Sequence, residues 1–157
     1  MVTAVVVNWN GKHYLEACLR ALLAQDPPPA EVILADNHSD DGSRELVQQR
    51  FPAVRVVDTG ANLGPAAARN AGLRAATHDD VLLLDNDVVL QPKALARLCA
   101  LRREHPEAAA VQARSLCADR PELVHYGYRR FLANKLRERF GFRGTPLRIV
   151  TKRRGKN

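Results

Sequence analysis

Apolar residues recur along this chain in two rhythms that alternate. Residues 4–7, 32–35, 54–57 and 81–84 are four-residue runs, nearly all apolar and rich in Val, Ile and Leu, and read as buried strands. Between them the spacing changes to that of a helix. In residues 12–24, Leu15, Cys18, Leu19, Leu22 and Leu23 follow an i, i+3, i+4, i+7, i+8 stripe, and Pro27, Pro28 and Pro29 end the segment. Ser43 is placed to cap a helix over residues 44–51, with Leu46, Val47 and Phe51 facing the core. Pro65 suits a first helical position, and the Ala-rich residues 66–76 continue that helix. A further helix is expected over 92–104 and a fifth strand over 109–113.

Strands that are apolar along their whole length and alternate with helices point to an α/β fold, a mostly parallel sheet with helices on both faces. Such sheets bind ligands in the crevice beyond the carboxyl ends of their strands. The polar clusters obey that rule. Asn8-Trp9-Asn10-Gly11 follows the first strand, Asp36 to Asp41 the second, and Asp85-Asn86-Asp87 the fourth. Three polar sets are therefore expected to meet at one edge of the sheet.

The residue types in these clusters suggest a chemistry. Asp85 and Asp87 lie two apart, which in extended chain sends both carboxylates the same way. Two hard oxygen ligands suit Mg2+ or Mn2+, which complete their shells with substrate phosphates. The alternative is a solvated Asp-rich turn. Asp36 and Asn37 can accept and donate toward a base edge or ribose hydroxyls, and equally suit an Asx-turn and helix cap. Asn62-Leu63-Gly64 opens a helix whose N-terminus favours anions, and Arg69 one turn further on can grip a phosphate. Trp9 is expected as a core-edge aromatic, with stacking on a ligand ring as the alternative. No GxGxxG or GxxxxGK[ST] occurs, which disfavours a dinucleotide-dependent oxidoreductase or a P-loop enzyme. The five histidines have no metal-ligand spacing, and no nucleophilic triad can be assembled.

Composition refines the picture. The 157 residues suit one domain, with no apolar run long enough to cross a membrane and no signal-peptide pattern at the start. Cys18, Cys99 and Cys117 form neither a metal pattern nor a disulfide framework, so a reducing cytoplasm is expected. The net charge of +7 is uneven. Residues 1–128 hold 13 Lys+Arg against 16 Asp+Glu, whereas residues 129–157 hold 11 Lys+Arg and one acid, Glu138. Tyr128, Phe131, Leu132, Leu136 and Phe140 recur among those cations as a basic amphipathic helix that could lie on the inner face of an anionic membrane. Packing on the domain with the charges solvated is the alternative; nucleic acid is disfavoured because no recognition module accompanies the charge. The expected segments are 1–120 as the folded domain, 121–142 as a basic amphipathic extension, and 143–157 as a disordered tail.

Taken in order, Val5 to Gly11, Val32 to Ser43, Asn62-Leu63-Gly64 with Ala68 to Gly72, and Leu82 to Asp87 resemble family 2 glycosyltransferases over residues 1 to about 115. The Asn-Trp-Asn-Gly and Asp-Asn variants look most like the rhamnosyltransferase branch. The resemblance implies a Rossmann-like GT-A nucleotide-sugar-binding domain, a UDP-, dTDP- or GDP-linked sugar donor, and an inverting, metal-assisted transfer to a glycan or lipid-linked envelope acceptor. By position it implies that Val7 and Asn8 line the nucleotide pocket and that Asp36 and Asn37 hold base and ribose. Arg69 would lie near the nucleotide, and Asp85-Asn86-Asp87 would be the DxD motif. Asp85 would then face ribose and metal, and Asp87 the metal. Family members continue into an acceptor-binding half that carries the general base. This chain ends 70 residues after Asp87, and neither Glu122 nor Glu138 is assigned that role. A donor-binding half is therefore expected: a shortened piece, a degraded or frameshifted relative, or one partner of a split enzyme. The other readings are a nucleotide-sugar-binding module without turnover and a basic interaction protein.

Overall fold

The computed structural model describes residues 1–113, of which Met1–Val111 form one compact unit. Segments 121–142 and 143–157, with the domain boundary at 120, lie outside the described residues. The elements run β1 (Val2–Asn8), α1 (Lys12–Leu23), β2 (Glu31–Asp36), α2 (Ser43–Arg50), β3 (Val54–Asp58), α3 (Pro65–Ala75), β4 (Asp80–Asp85) and α4 (Ala94–Glu104). The four strands form one wholly parallel sheet in the order β3-β2-β1-β4. That is the α/β architecture expected from the alternating pattern.

Alternate residues of β1 serve two cores. Ala4 and Val6 pack with Leu15, Cys18, Leu19 and Leu22 of α1, with Val47 of α2 and with Phe51 just after it. Val5, with Ile33 and Ala35 of β2, faces the opposite side, where α3 lies. Full burial of each such Leu or Ile contributes about 1.5–3 kcal/mol. Helix α3 approaches closely because its inner face is small: Ala68 and Gly72 are buried, and a Cβ at Gly72 would stand 2.3 Å from Val5 Cγ1. Gly64 precedes α3 at φ +84°, a conformation that side chains resist.

Some local expectations change. Ser43 is the first residue of α2 and caps nothing; Gly42 precedes it at φ +80°, and the capping acceptor is Asp41, whose Oδ1 receives the Ser43 amide at 3.0 Å. Helix α4 begins at Ala94 because Lys93 is left-handed at φ +65°. Leu23 is exposed, one residue off the buried stripe of α1. Residues 109–113 form no strand. A strand exists only through ladder bonds to a neighbour, and no described residue pairs with the outer edge of β4. At the amino edge of the sheet, Glu31 accepts from Thr3 Oγ1 (2.9 Å) and from the Thr77 amide and hydroxyl (3.0 and 2.8 Å). That edge is closed by side chains, which leaves the carboxyl edge for the polar loops.

Candidate functional site at the carboxyl edge of the sheet

Chain order places β2 and β3 to one side of β1 and β4 to the other, so the topological switch point falls between β1 and β4. In the ladder, Asn8 stands opposite Asp36 and Val7 opposite Asp85. The three polar sets do converge, and a continuous chain of hydrogen bonds joins them. Asn8 is buried. Its Nδ2 donates to Asp36 Oδ1 (2.8 Å) and Ser39 Oγ (3.1 Å), while its Oδ1 accepts from Asn86 Nδ2 (2.6 Å).

Asp36 is fully enclosed, at 0% exposure. Its carboxylate also accepts the Ser39 amide (2.8 Å) and hydroxyl (2.7 Å), with Arg44 Nε 3.8 Å away. Asn37, 2% exposed, braces the next loop. Its Nδ2 donates to Asn62 Oδ1 (2.6 Å), and its Oδ1 accepts from the Leu63 amide (3.1 Å) and Thr59 Oγ1 (3.2 Å). Both side chains are thus buried and bonded inside the protein, and form a floor at the carboxyl edge of the sheet. Ser39 lies in the polar turn after β2. It is in fact a hub, its hydroxyl donating to Asp36 and accepting from Asn8 and from the Asn10 amide (2.9 Å). Only assembly of the β1 and β2 loops reveals that role.

The acidic triplet is not extended throughout. Strand β4 ends at Asp85, and the Val88 amide donates back to the Asp85 carbonyl (3.2 Å), closing a turn over 85–88. Alternation along a strand therefore does not set the direction of Asp87, yet both carboxylates are exposed at the rim. Arg69, one turn into α3, meets Asp85 Oδ1 at 2.5 Å. Beneath the rim lies Cys18 of α1, its Sγ 3.9 Å from the Asp85 carbonyl. Burial, followed by the charges of Asp87 and Asp85, pushes its thiol up to about 12, so it stays protonated and packs as an apolar group. Trp9 is 56% exposed beside the crevice, not packed at the core edge as expected; the β1 loop turns outward through Asn10, at φ +48°. Among the described residues no set of three or more His, Cys, Asp or Glu side chains gathers around a point. Asp85 and Asp87 supply two hard carboxylates, the number a magnesium-type ion takes from protein when phosphates complete its shell.

A parallel sheet with its polar loops gathered at a switch point defines a ligand-binding α/β domain of Rossmann-like form. The family model for glycosyl transferase family 2 matches residues 3–153, and the chain belongs to that family. It is 34% identical over 112 residues to the succinoglycan biosynthesis protein ExoO of Rhizobium meliloti, across 71% of this chain and 31% of that protein. It is 40% identical over 70 residues to an N-acetylglucosaminyl-diphospho-decaprenol L-rhamnosyltransferase of Mycobacterium tuberculosis, across 45% of this chain and 23% of that one. The chain spans about a third or less of the length of these curated relatives. A shorter stretch of 34 residues, 22% of the chain, is 62% identical to 8% of the GTPase Der of Bacillus cytotoxicus.

Among solved structures, S. aureus TarS in complex with UDP superposes with a TM-score of 0.62 at 25% identity, across 74% of this chain and 38% of that one. The mannosyltransferase PcManGT from Pyrobaculum calidifontis, in complex with GDP-Man and Mn2+, gives 0.60 at 29% identity, across 64% and 32%. The parallel sheet and these likenesses bear out the expected α/β, Rossmann-like fold class, and the family match bears out the expected family. No helix among the described residues is long and apolar enough to cross a membrane.

Proposed function

We propose that this chain is the donor-binding part of a glycosyltransferase that takes a nucleoside-diphosphate sugar and transfers its sugar, with inversion, to a lipid-linked or other envelope glycan. The observation that carries the reading is the bonded convergence of Asn8, Asp36, Ser39 and Asn86 at the β1/β4 switch point. It places the exposed Asp85 and Asp87 beside a closed polar floor. UDP in one structural relative and GDP-Man with Mn2+ in another support the ligand class, and the decaprenol-linked substrate named for a curated relative supports the acceptor class.

In this reading Val7 and Asn8 frame the nucleotide pocket, and Asp36 and Asn37 hold its floor rigid under base and ribose. Arg69 faces the phosphates, sharing its guanidinium with Asp85. Asp85 and Asp87 hold Mg2+ or Mn2+. When bound, such an ion offsets the charge that gathers on the departing diphosphate. No residue of this chain is assigned as the base that takes the acceptor proton.

Calorimetry on the full chain with UDP, dTDP and GDP, with and without Mn2+, tests the site. Binding of at least one nucleotide is expected to strengthen with Mn2+. Asp87→Ala is expected to remove that gain while leaving the metal-free affinity within about twofold, since loss of a ligand costs tenfold or more in metal affinity. Absence of any metal-dependent nucleotide binding overturns the reading, and release of free sugar from the matching donor reports turnover.

The cationic residues 129–157 support peripheral attachment to the inner face of a membrane. Sedimentation with phosphatidylglycerol vesicles is expected at 50 mM salt and to fall away at 500 mM. Equal sedimentation with neutral vesicles overturns attachment through charge.

A further inference from the structure

The middle residue of the acidic triplet has a geometry unlike its neighbours. Asp85 and Asp87 are exposed, whereas Asn86 is half-buried and turns inward. Its Nδ2 reaches Asn8 Oδ1 at 2.6 Å. The same amide lies directly over Gly11: a Cβ built there would stand 1.9 Å from Asn86 Nδ2, 2.9 Å from its Cγ and 2.8 Å from Asn8 Oδ1. Any side chain at position 11 would displace the Asn86 amide.

The polarity of this contact is fixed from the far end. Asn8 Nδ2 is committed to the acceptors Asp36 Oδ1 and Ser39 Oγ, so Asn8 Oδ1 must face Asn86, and the group facing it must donate. An Asn at position 86 meets that demand; an Asp of the same shape would set oxygen against oxygen. The turn that carries both rim carboxylates is thus fastened to β1 by one amide, and through Asn8 to the floor at Asp36.

We infer that Asn86, seated in the space that Gly11 leaves open, is a positioning residue that sets the two rim carboxylates relative to the nucleotide floor. The inference rests on the donor-site reading for its consequence in binding, but its structural half stands separately. A ligand held by two exposed acids on a short turn gains from any bond that restricts that turn, and outer partners of this kind change metal affinity by about 10–100-fold.

The test uses the full chain with Asn86→Ala, Asn86→Asp and Gly11→Ala, singly, and with Asn86→Ala and Gly11→Ala combined. Hydrogen exchange of the Val88 amide, which closes the 85–88 turn, reports the turn itself. Calorimetry with UDP and GDP, with and without Mn2+, reports the site. Each single variant is expected to speed Val88 exchange at least about tenfold while exchange in the β1–β2 ladder stays unchanged. Each is also expected to weaken the Mn2+-dependent part of nucleotide binding by about tenfold or more, with metal-free affinity within about twofold. The double variant is expected to fall short of the product of the two single effects, because the main obstacle to a Cβ at position 11 is the Asn86 amide itself. Unchanged Val88 exchange in Asn86→Ala, or independent multiplication of the two effects, overturns the inference. A wild-type chain that binds no nucleotide with Mn2+ overturns the donor reading and this inference's role in binding. The exchange data still decide whether Asn86 fastens the turn.

Discussion

Asp36 and Asn37 stand at the end of an apolar strand, where a carboxylate and an amide suit either a ligand or a turn. In the folded chain their side chains are closed off and bonded to neighbours from three loops. Magnitude decides what their loss does. Asp36→Ala strands the Ser39 amide and part of the Asn8 amide in a buried setting, at about 1–3 kcal/mol for each donor left without an acceptor. A loss of about 3 kcal/mol is expected, read as a drop of about 10 °C in melting temperature. Asp36→Asn keeps one acceptor oxygen and should lose about half as much. A melting point within 2 °C of wild type for Asp36→Ala would assign the residue to the ligand and not to the floor. The same scale explains Cys18. It lies under two carboxylates in a buried position, conditions that hold a thiol neutral and leave it a packing group.

At the scale of the element, α3 shows how a helix can be positioned by what it lacks. Its inner face of small residues, Ala68 and Gly72, lets the backbone settle against Val5 and Ala35, and so carries Arg69 to the rim at Asp85. Two opposing effects meet in Gly72→Ala. Helix propensity favours alanine by about 0.5–1 kcal/mol. The added methyl, however, would lie 2.3 Å from Val5 Cγ1 and 3.2 Å from Ala35 Cβ, and overpacking of this kind costs about 1–3 kcal/mol. Net destabilisation of about 1 kcal/mol is expected in urea unfolding, with a weakened Arg69–Asp85 contact. A stabilised variant would show that α3 has room to move outward. Pro65 and the alanine-rich run after it identified this helix and its first residue. It gave no sign of how near the sheet the helix lies, since that distance depends on which residues of β1 and β2 stand opposite.

For the whole molecule, acid is the informative variable. Asp58 is held below the usual carboxylate range by the Gly60 amide first, against burial, with His38 and Arg44 adding to the effect. For Asp41, burial is the largest influence and acts upward, but bonds from Ser43 and from the Lys12 amide outweigh it. For Glu31, burial again acts upward and the bonds from Thr77 and Thr3 prevail. Each group binds its proton more weakly folded than unfolded. The stability they add is therefore present above the ordinary carboxylate range and lost as pH falls through their lowered folded-state values. The urea midpoint is expected to be level from pH 7 to about 5 and to fall below about pH 4. Because none of the three groups is fully buried, the fall should be modest and smaller in high salt. A midpoint that stays level down to pH 2.5 would remove these carboxylates from the account.

The sequence by itself determined the architecture: four apolar runs, four helical segments and the polar clusters after β1, β2 and β4. Strand burial and helix amphipathicity are local, periodic properties, so the order of residues is enough to show them. It also placed the candidate residues at one edge of the sheet, because a parallel sheet sends all its carboxyl ends the same way. The expected strand over 109–113 did not form, since a strand needs a neighbour's ladder bonds and apolar character does not supply them. Only the tertiary structure decided which polar groups face outward and which are used up within the protein. Asp36 and Asp85 are the same residue type at equivalent strand ends, yet one is enclosed by Asn8, Ser39 and Arg44 while the other stands at an exposed rim. Asn8, which bonds to Asp36 from 28 residues away and to Asn86 from 78, lies at the centre of that difference, and such pairings exist only once the chain has closed on itself.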